Sequence, residues 1–488
     1  MAPRWQGLLR RTPLFLALAF GFALRGAWAQ TGDTGSAHQG DTPGSAAVGP
    51  QMIESQPATA AGYQDVGGVP VNERSFQEGT VILPADHLFG DWFGRLPVWE
   101  ESGFKPTLSW VTNFGGNVVG GRDQGFTECE NLGLDLAFDL EKCMGICDTY
   151  FHVSLSQRSG ESVTNEFIGN VFSTQQVFGG ETFKLVNVEL QRYFCDRNVD
   201  VKLGRIAPGD DFLVSPFFWG YMSGGINGQA GISFDAPGWS TYPYATWGTR
   251  IRAKTSDRTY AMVGFYNGDP DIRDNDSHGC DFSLHGPLFA MGEVGYQRNG
   301  HRDDPGMLGD YKLGAFFNGG SFDRFSRSQF APGIGGGRAG QDEGNWGYYA
   351  LFDQVICQPC GKDNPRATGI FGSIIVAPES SINQIPFCVT GGIVDRGRIP
   401  CRPEDSLWFG VVYGKFSDDL QDAQERAQIL DPTVGVQESE LVFEWAYRFR
   451  MHSGAMFFQP DLQYIINPGG AHQYSNALQV GAQAGINF

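Results

Sequence analysis

The sequence predicts an all-β protein: a 16-stranded antiparallel barrel that crosses a membrane, with short turns at one end and long loops at the other. Three observations carry this. The chain of 488 residues holds 68 glycines and 13% aromatics but only 18% charged residues. Glycine costs ~1 kcal/mol per helix position relative to alanine, so this composition argues against a helical bundle. Its start reads as an export signal. Its far end is a long strand of strict period two, running from Leu478 to the terminal Phe488. A mean hydropathy of −0.25 excludes a polytopic helical membrane protein. It is compatible with a barrel, whose strands alternate apolar and polar residues. The net charge of −19 argues against nucleic acid as a partner, since phosphate binding needs clustered Lys and Arg.

Residues 1–29 combine a basic start (Arg4, Arg10, Arg11), an apolar stretch from Leu14 to Leu24, and small residues Ala27 and Ala29 before Gln30. This is the pattern of a cleaved signal peptide. The apolar stretch is shorter than the ~20 residues that span a bilayer. Residues 30–80 are rich in Gly, Ser, Thr, Ala, Gln and Pro and lack an apolar period. Such a segment buries too little surface to offset its chain entropy and is expected to be disordered. Residues 81–104 form an entry segment. Pro97 suits the first turn of a short helix ending near Gly103.

From 105 to 488 the chain reads as strands. They are expected to begin near Lys105, Glu130, Asp148, Glu181, Val199, Tyr244, Arg258 and Gly286. The second eight begin near Gly309, Gly344, Ala367, Asn383, Asp405, Glu438, Ala455 and Tyr474. Leu441, Phe443, Trp445, Tyr447 and Phe449 alternate with Val442, Glu444, Ala446, Arg448 and Arg450. Val186, Val188 and Leu190 alternate with Asn187, Glu189 and Gln191, and Ile251 alternates with Arg250 and Arg252. In lipid the apolar set faces outward and the polar set lines a lumen. Connections near 142–145, 196–198, 255–258 and 452–454 are short. Those near 159–180, 209–243 and 269–285 are long. An even strand number with alternating short and long connections is the organisation of outer-membrane barrels, and about sixteen strands leave an aqueous channel. A strand of this length ending the chain on Phe fits the same class. No internal repeat of fixed period points to a solenoid or propeller.

Several motifs occur in order along this stretch. They are Gly90-Asp91-Trp92-Phe93-Gly94 followed by Glu100-Glu101-Ser102-Gly103, then Gln157-Arg158-Ser159-Gly160, then Leu203-Gly204-Arg205 with Asp210-Asp211-Phe212. Phe265-Tyr266-Asn267-Gly268-Asp269-Pro270 and the run from Gln459 to Gly470 complete the set. From about Leu88 to Phe488 the chain resembles the carbohydrate-selective porins of the OprB type. The resemblance implies a sixteen-stranded outer-membrane barrel through which sugars, of the glucose type as mono- or oligosaccharides, diffuse passively without a cofactor. A general or anion-preferring porin of the same fold is the alternative. Expected partners are the transported sugars, outer-membrane lipid, and the barrel-insertion machinery that would read the strand ending at Phe488. A homotrimer is a further expectation.

A sugar channel needs hydrogen-bonding side chains and flat rings that bind weakly enough to release. The resemblance implies that Arg158, and also Arg205, line the constriction. Alternation puts Glu189, Arg250, Arg252 and Glu444 on the lumen side. The loop 209–243 is expected to fold inward and narrow the pore, carrying Asp210, Asp211, Phe217, Phe218, Trp219, Tyr221 and Trp239. A lumen with both Arg and Glu suits neutral polar solutes, whereas a purely basic ring suits anions.

The chain has 9 cysteines, so one is left over from pairing. Cys143, Cys147, Cys357 and Cys360 flank two short turns and are the candidates for structural disulfides, which the compartment beyond the inner membrane permits. Free thiols, a Cys-x-x-Cys redox site and a four-thiolate zinc site are the other readings. No metal-binding His-x-x-x-His, nucleophile elbow or phosphate loop is present in the sequence. An enzyme is therefore not expected.

Overall fold

The computed structural model describes residues 86–488 apart from 227–228, 230, 233–235, 237–238, 270–277, 281–282, 300–305, 332–339 and 360–365. The expected export signal and the low-complexity segment 30–80 lie outside the described residues, as does Cys360. The described chain is a closed barrel of 16 strands in which every strand pairs antiparallel with its sequence neighbours. β1 (Phe104–Gly121) closes it against β16 (Ser475–Asn487), in a register that sets Ser109 opposite Asn487 and Asn117 opposite Gln479. Closure removes the unpaired strand edges that lipid cannot hydrogen-bond. Among the described residues no helix is long and apolar enough to cross a membrane.

The intervening strands are β2 (Gly125–Asp139), β3 (Thr149–Gly160), β4 (Thr182–Phe194), β5 (Val199–Ile206), β6 (Thr246–Ser256), β7 (Thr259–Asn267) and β8 (Leu288–Arg298). They continue with β9 (Gly309–Asp323), β10 (Gln341–Cys357), β11 (Ala367–Val376), β12 (Phe387–Arg396), β13 (Ser406–Lys415), β14 (Ser439–Met451) and β15 (Met456–Ile466). Most starts fall within a few residues of expectation. β2 begins at Gly125 rather than near Glu130, because Gly120 and Gly121, at φ 71° and 65°, turn the chain early and the connection is only 122–124. β12 begins after the expected Asn383. That side chain instead fastens the preceding turn by donating to Ala377 O at 3.2 Å and to Asn345 Oδ1 at 3.1 Å.

The alternation is inverted relative to a soluble protein. On β16, Gln479 and Gln483 are wholly buried towards the lumen while Val480 is 43% exposed on the outside. On β14, Glu440 and Glu444 point in and Trp445 and Phe449 point out. One expectation is corrected. Val186 lies on the inner face, not the outer one. The β3–β4 register slips between Val153 and Leu155, so Val186 and Asn187 together oppose Ser154. Such a bulge flips the phase of the strand. Thr182, Lys184 and Val186 face in before it, and Asn187, Glu189 and Gln191 after it.

The short connections 195–198, 257–258 and 452–455 lie at one end. The long ones 161–181, 207–245 and 416–438 lie at the other. The entry segment carries α1 (Leu96–Glu101), with Pro97 in its first turn, and Gly103 follows at φ 88°. A Cβ at Gly103 would stand 2.7 Å from Asp139 O, so only glycine fits. That glycine's carbonyl accepts from Asp139 N at 2.7 Å, just ahead of α2 (Leu140–Met144). Cys143, Cys147 and Cys357 are free thiols in the structure, so no expected bridge is formed among the described cysteines. Cys143 Sγ instead donates to Ser102 O at 3.2 Å.

Candidate functional site

The largest apolar core lies inside the barrel, built from two loops that fold into the lumen. Phe212, Phe217, Phe218, Tyr221 and Trp239 of the connection 207–245 pack with Phe172 of 161–181 and with Phe289, Phe371 and Trp408 of the wall. The Phe218 ring meets Phe371 at 5.5 Å, and Tyr221 meets Trp408 edge-on at 5.4 Å. Gly220 lies against the Trp408 ring so closely that a Cβ would stand 2.0 Å from it. The inward fold of 209–243 was expected. The partnership with the loop after β3 was not. Gln176 N donates to Met222 O and Gly224 N to Ser173 O, both at 2.8 Å, joining the two loops as a short antiparallel pair.

Buried wall carboxylates hold these loops by their backbone. Glu444 accepts from Met222 N at 2.6 Å and Ser223 N at 2.9 Å. Glu440 accepts from Val171 N and Phe172 N at 2.8 Å and from Gly469 N at 2.7 Å. Glu293 accepts from Leu213 N at 3.0 Å and from the hydroxyls of Tyr260 and Tyr349 at 2.7 and 2.8 Å. Lys312 Nζ donates to Val214 O at 2.6 Å, and Gln459 Nε2 to Gly220 O at 2.8 Å. Buried loop amides need partners, and charged acceptors make the stronger bonds. Glu444 thus faces the lumen as expected, but its carboxylate is taken by the loop and is not presented to solute. Glu440 and Glu293 do the same work and were not singled out from sequence. Their inward position on alternating strands was the available signal.

Across the barrel, β2–β6 and the loop after β5 carry an ionic network that brings several expected residues together. Lys202 Nζ lies 3.1 Å from Asp211 and 3.7 Å from Glu189. Arg250 pairs with Asp200 and, at 3.1 Å, with Asp211. His152 bridges Glu189 at 3.5 Å and Asp135 at 3.2 Å. Asn187 Nδ2 donates to Asp210 Oδ2 at 3.0 Å. Lys202, His152, Asp135 and Asp200 complete this network, and only the fold assembles them with Glu189, Asp210, Asp211 and Arg250. Burial pushes the Asp210 carboxyl up to about 7. Burial acts the same way on Asp211, but the charges of Arg250 and Lys202 outweigh it and hold that group at about 2.

Two further cations sit where loops meet wall. Arg158 is buried, donates to Phe178 O at 3.1 Å and stands 5.8 Å over the Tyr242 ring. It therefore touches both loops. Lys184, missed from sequence, stands 3.8 Å over Tyr244. Arg205 is also buried, its Nε donating to Val186 O at 3.1 Å. Arg252 stacks 4.3 Å over Tyr260. Lys202, Asp210, Asp211, Trp219 and Arg252 keep part of their surface exposed. They supply both charge signs and, in Trp219, an indole packed at the edge of the apolar core.

A closed sixteen-stranded barrel with an apolar outside and loops folded into its lumen is a porin. The sequence pattern of the carbohydrate-selective porin, OprB family matches residues 123–488, and the chain belongs to that family. It is a sugar-selective porin of the bacterial outer membrane. It is similar to Porin B of Pseudomonas aeruginosa, with 25% identity over 425 residues, covering 81% of this chain and 89% of that one. It is also similar to the putative porin QuiX of Acinetobacter baylyi, with 26% identity over 427 residues, covering 82% and 93%. Among solved structures, that of Pseudomonas putida OprB at high pH superposes with a TM-score of 0.75 at 24% identity, covering 83% of this chain and 99% of that one.

Proposed function

We propose that the chain passes neutral sugars of the glucose type down their gradient and catalyses no reaction. The observation that supports this most is the mixed border of the lumen. Lys202, Asp211 and Arg252 offer donors and acceptors in one short arc, and the partly exposed Trp219 adds an indole. Paired charges of both signs do not concentrate ions of one sign, but they do hydrogen-bond hydroxyls. The loops are tied down by Glu440 and Glu444, so the aperture is fixed in advance and solute passes without an energy source. Arg158 acts as a brace for both loops, which keeps it essential to the constriction.

The alternative is preference for anionic solutes. Three arginines, Arg396 on β12 and Arg448 and Arg450 on β14, stand on inward positions either side of β13 towards the short-turn end and favour that reading. Assembly as a homotrimer and insertion through recognition of the strand ending at Phe488 belong to the same proposal, as does removal of residues 1–29 on export.

Planar-bilayer conductance of the purified chain, titrated with glucose and with an anionic sugar acid, tests it. Saturable block by glucose supports the sugar channel. Conductance indifferent to glucose but blocked by the acid selects the anion reading. A folded barrel without conductance rejects both.

A further inference from the structure

The outside of the barrel changes character at the short-turn end below β16, β1 and β2. A chain of ring contacts leaves the wall there and runs onto backbone that is not strand. Phe151 meets Phe138 at 6.1 Å, Phe138 meets Phe104 at 5.0 Å, Phe104 meets Trp99 of α1 at 5.9 Å, and Trp99 meets Trp92 at 6.0 Å. The first three hold cross-strand partner positions on β3, β2 and β1. By alternation they face outward, as an interfacial aromatic girdle does. The entry segment prolongs that girdle.

The segment is fastened to the foot of β16. Leu88 N donates to Asn487 O at 2.7 Å, and Trp92 Nε1 donates to Phe488 O at 2.8 Å. The Phe89 ring lies 5.9 Å from that of Phe488. At its other end, Lys142 Nζ reaches Glu100 O at 3.4 Å, tying α1 to the β2–β3 turn. Much of what the segment leaves exposed is apolar, interspersed with the charged Asp91, Arg95 and Glu101. Phe89 is 53% exposed, Phe93 84% and Val98 60%, and on the adjoining turn Met144 is 63% and Ile146 41% exposed. Large apolar side chains gathered on turn backbone are a liability in water and mark a contact surface. Exposed Arg95, a residue type that meets lipid phosphates at an interface, stands among them together with the acidic Asp91, Glu101 and Glu141.

We propose that residues 88–103, together with the β2–β3 turn, form an interfacial anchor seated in the head-group boundary of the periplasmic leaflet. The partner is phospholipid. Phe89, Phe93 and Val98 enter the acyl boundary, while Trp92 and Trp99 sit at head-group depth, where an amphipathic ring has both its apolar body and its N–H satisfied. The continuity of the ring chain with the strand girdle sets the depth. The anchor also presses the chain's end against lipid, holding the last strand at the closure of the barrel.

The test uses the full chain in nanodiscs of phosphatidylethanolamine and phosphatidylglycerol. They carry a phospholipid with a diazirine beside its glycerol, and photo-adducts are mapped by mass spectrometry. Adducts are expected on the peptide holding Phe89 to Val98 at a yield comparable with the strand peptide holding Phe151. Labelling of the Phe151 peptide without labelling of the entry peptide would overturn the proposal and place the segment in water. In the double variant Phe93→Ser and Val98→Ser, adducts on the entry peptide are expected to fall several-fold, with the Phe151 peptide and the heat-modified gel mobility unchanged. An unchanged entry-peptide yield overturns the proposal too. Near-complete disulfide dimer from Val98→Cys in the membrane, with the exposed Cys147, Cys195, Cys357 and Cys401 replaced by Ser and without lipid adducts, overturns it in favour of contact with a second copy.

Discussion

Glu444 on β14 accepts the backbone N–H of Met222 at 2.6 Å, although Met222 belongs to the loop between β5 and β6 on another sector of the wall. This carboxylate is one of the wall anchors that convert a long connection into a fixed internal partition, with Glu293, Lys312 and Gln459 holding the same loop. The remaining amides around it find their acceptors in Glu440, Glu293 and the partner loop.

Glu444→Ala removes both acceptors of the Met222 and Ser223 amides. Each such hydrogen bond contributes about 0.5–1.5 kcal/mol. The loop is expected to detach at its far end while the barrel persists. Single-channel conductance should rise and sugar block should weaken. Conductance equal to that of the parent chain would show that the latch does not set the aperture.

Arg158→Ala removes the cation that touches Phe178 of one loop and Tyr242 of the other. Sugar block is expected to weaken with the barrel intact. Arg158→Lys keeps the charge but not the planar fork, and should fall between the two. Unchanged block in both variants would remove Arg158 from the constriction.

Arg250→Met leaves Asp200 and Asp211 without their shared cation. Breaking a buried ion pair costs on the order of 3 kcal/mol. The temperature at which the detergent-folded band converts to the unfolded one should drop. A band conversion at the parent temperature would mean that lumen water compensates.

Asp210 titrates at about 7 in the folded chain, because burial raises it from the ordinary carboxylate range. Between pH 6 and 8 it loses its proton and adds one negative charge beside the lumen. Cation preference in reversal-potential measurements should therefore grow as pH rises through that window and decline as pH falls. Asp210→Asn should flatten the profile. As a stability effect, the raised value means that deprotonation above the ordinary carboxylate range weakens the fold, a loss complete once pH passes about 7.

After reduction, Cys147, Cys195 and Cys401, all exposed at the short-turn end, should react with a maleimide in the folded protein. Cys129 and Cys388 are buried and should react only on unfolding. Labelling of Cys129 in the folded chain would contradict the packing between wall and loop.

The wall of the barrel is written in local pattern. Period two along Leu478 to Phe488 and Leu441 to Arg450, with a short or long connection after each strand, is local information, and it sufficed for a closed barrel of 16 strands. It also determined that the loop after β5 would carry aromatics. It failed where one residue changes the phase, as at Val186, because a bulge depends on what the partner strand offers across the gap. Which polar residues meet is an outcome of long-range packing. Glu189, Lys202, Asp211 and Arg250 converge because three strands and a loop bring them within ion-pair distance. Glu444 and Glu189 look equivalent in sequence, each a carboxylate on an inward position. One is spent on backbone amides and the other on Lys202 and His152. The difference lies in which loop folds over which wall. That is a long-range packing outcome, driven by burying Phe217, Phe218 and Tyr221 inside the barrel, and no local pattern encodes it.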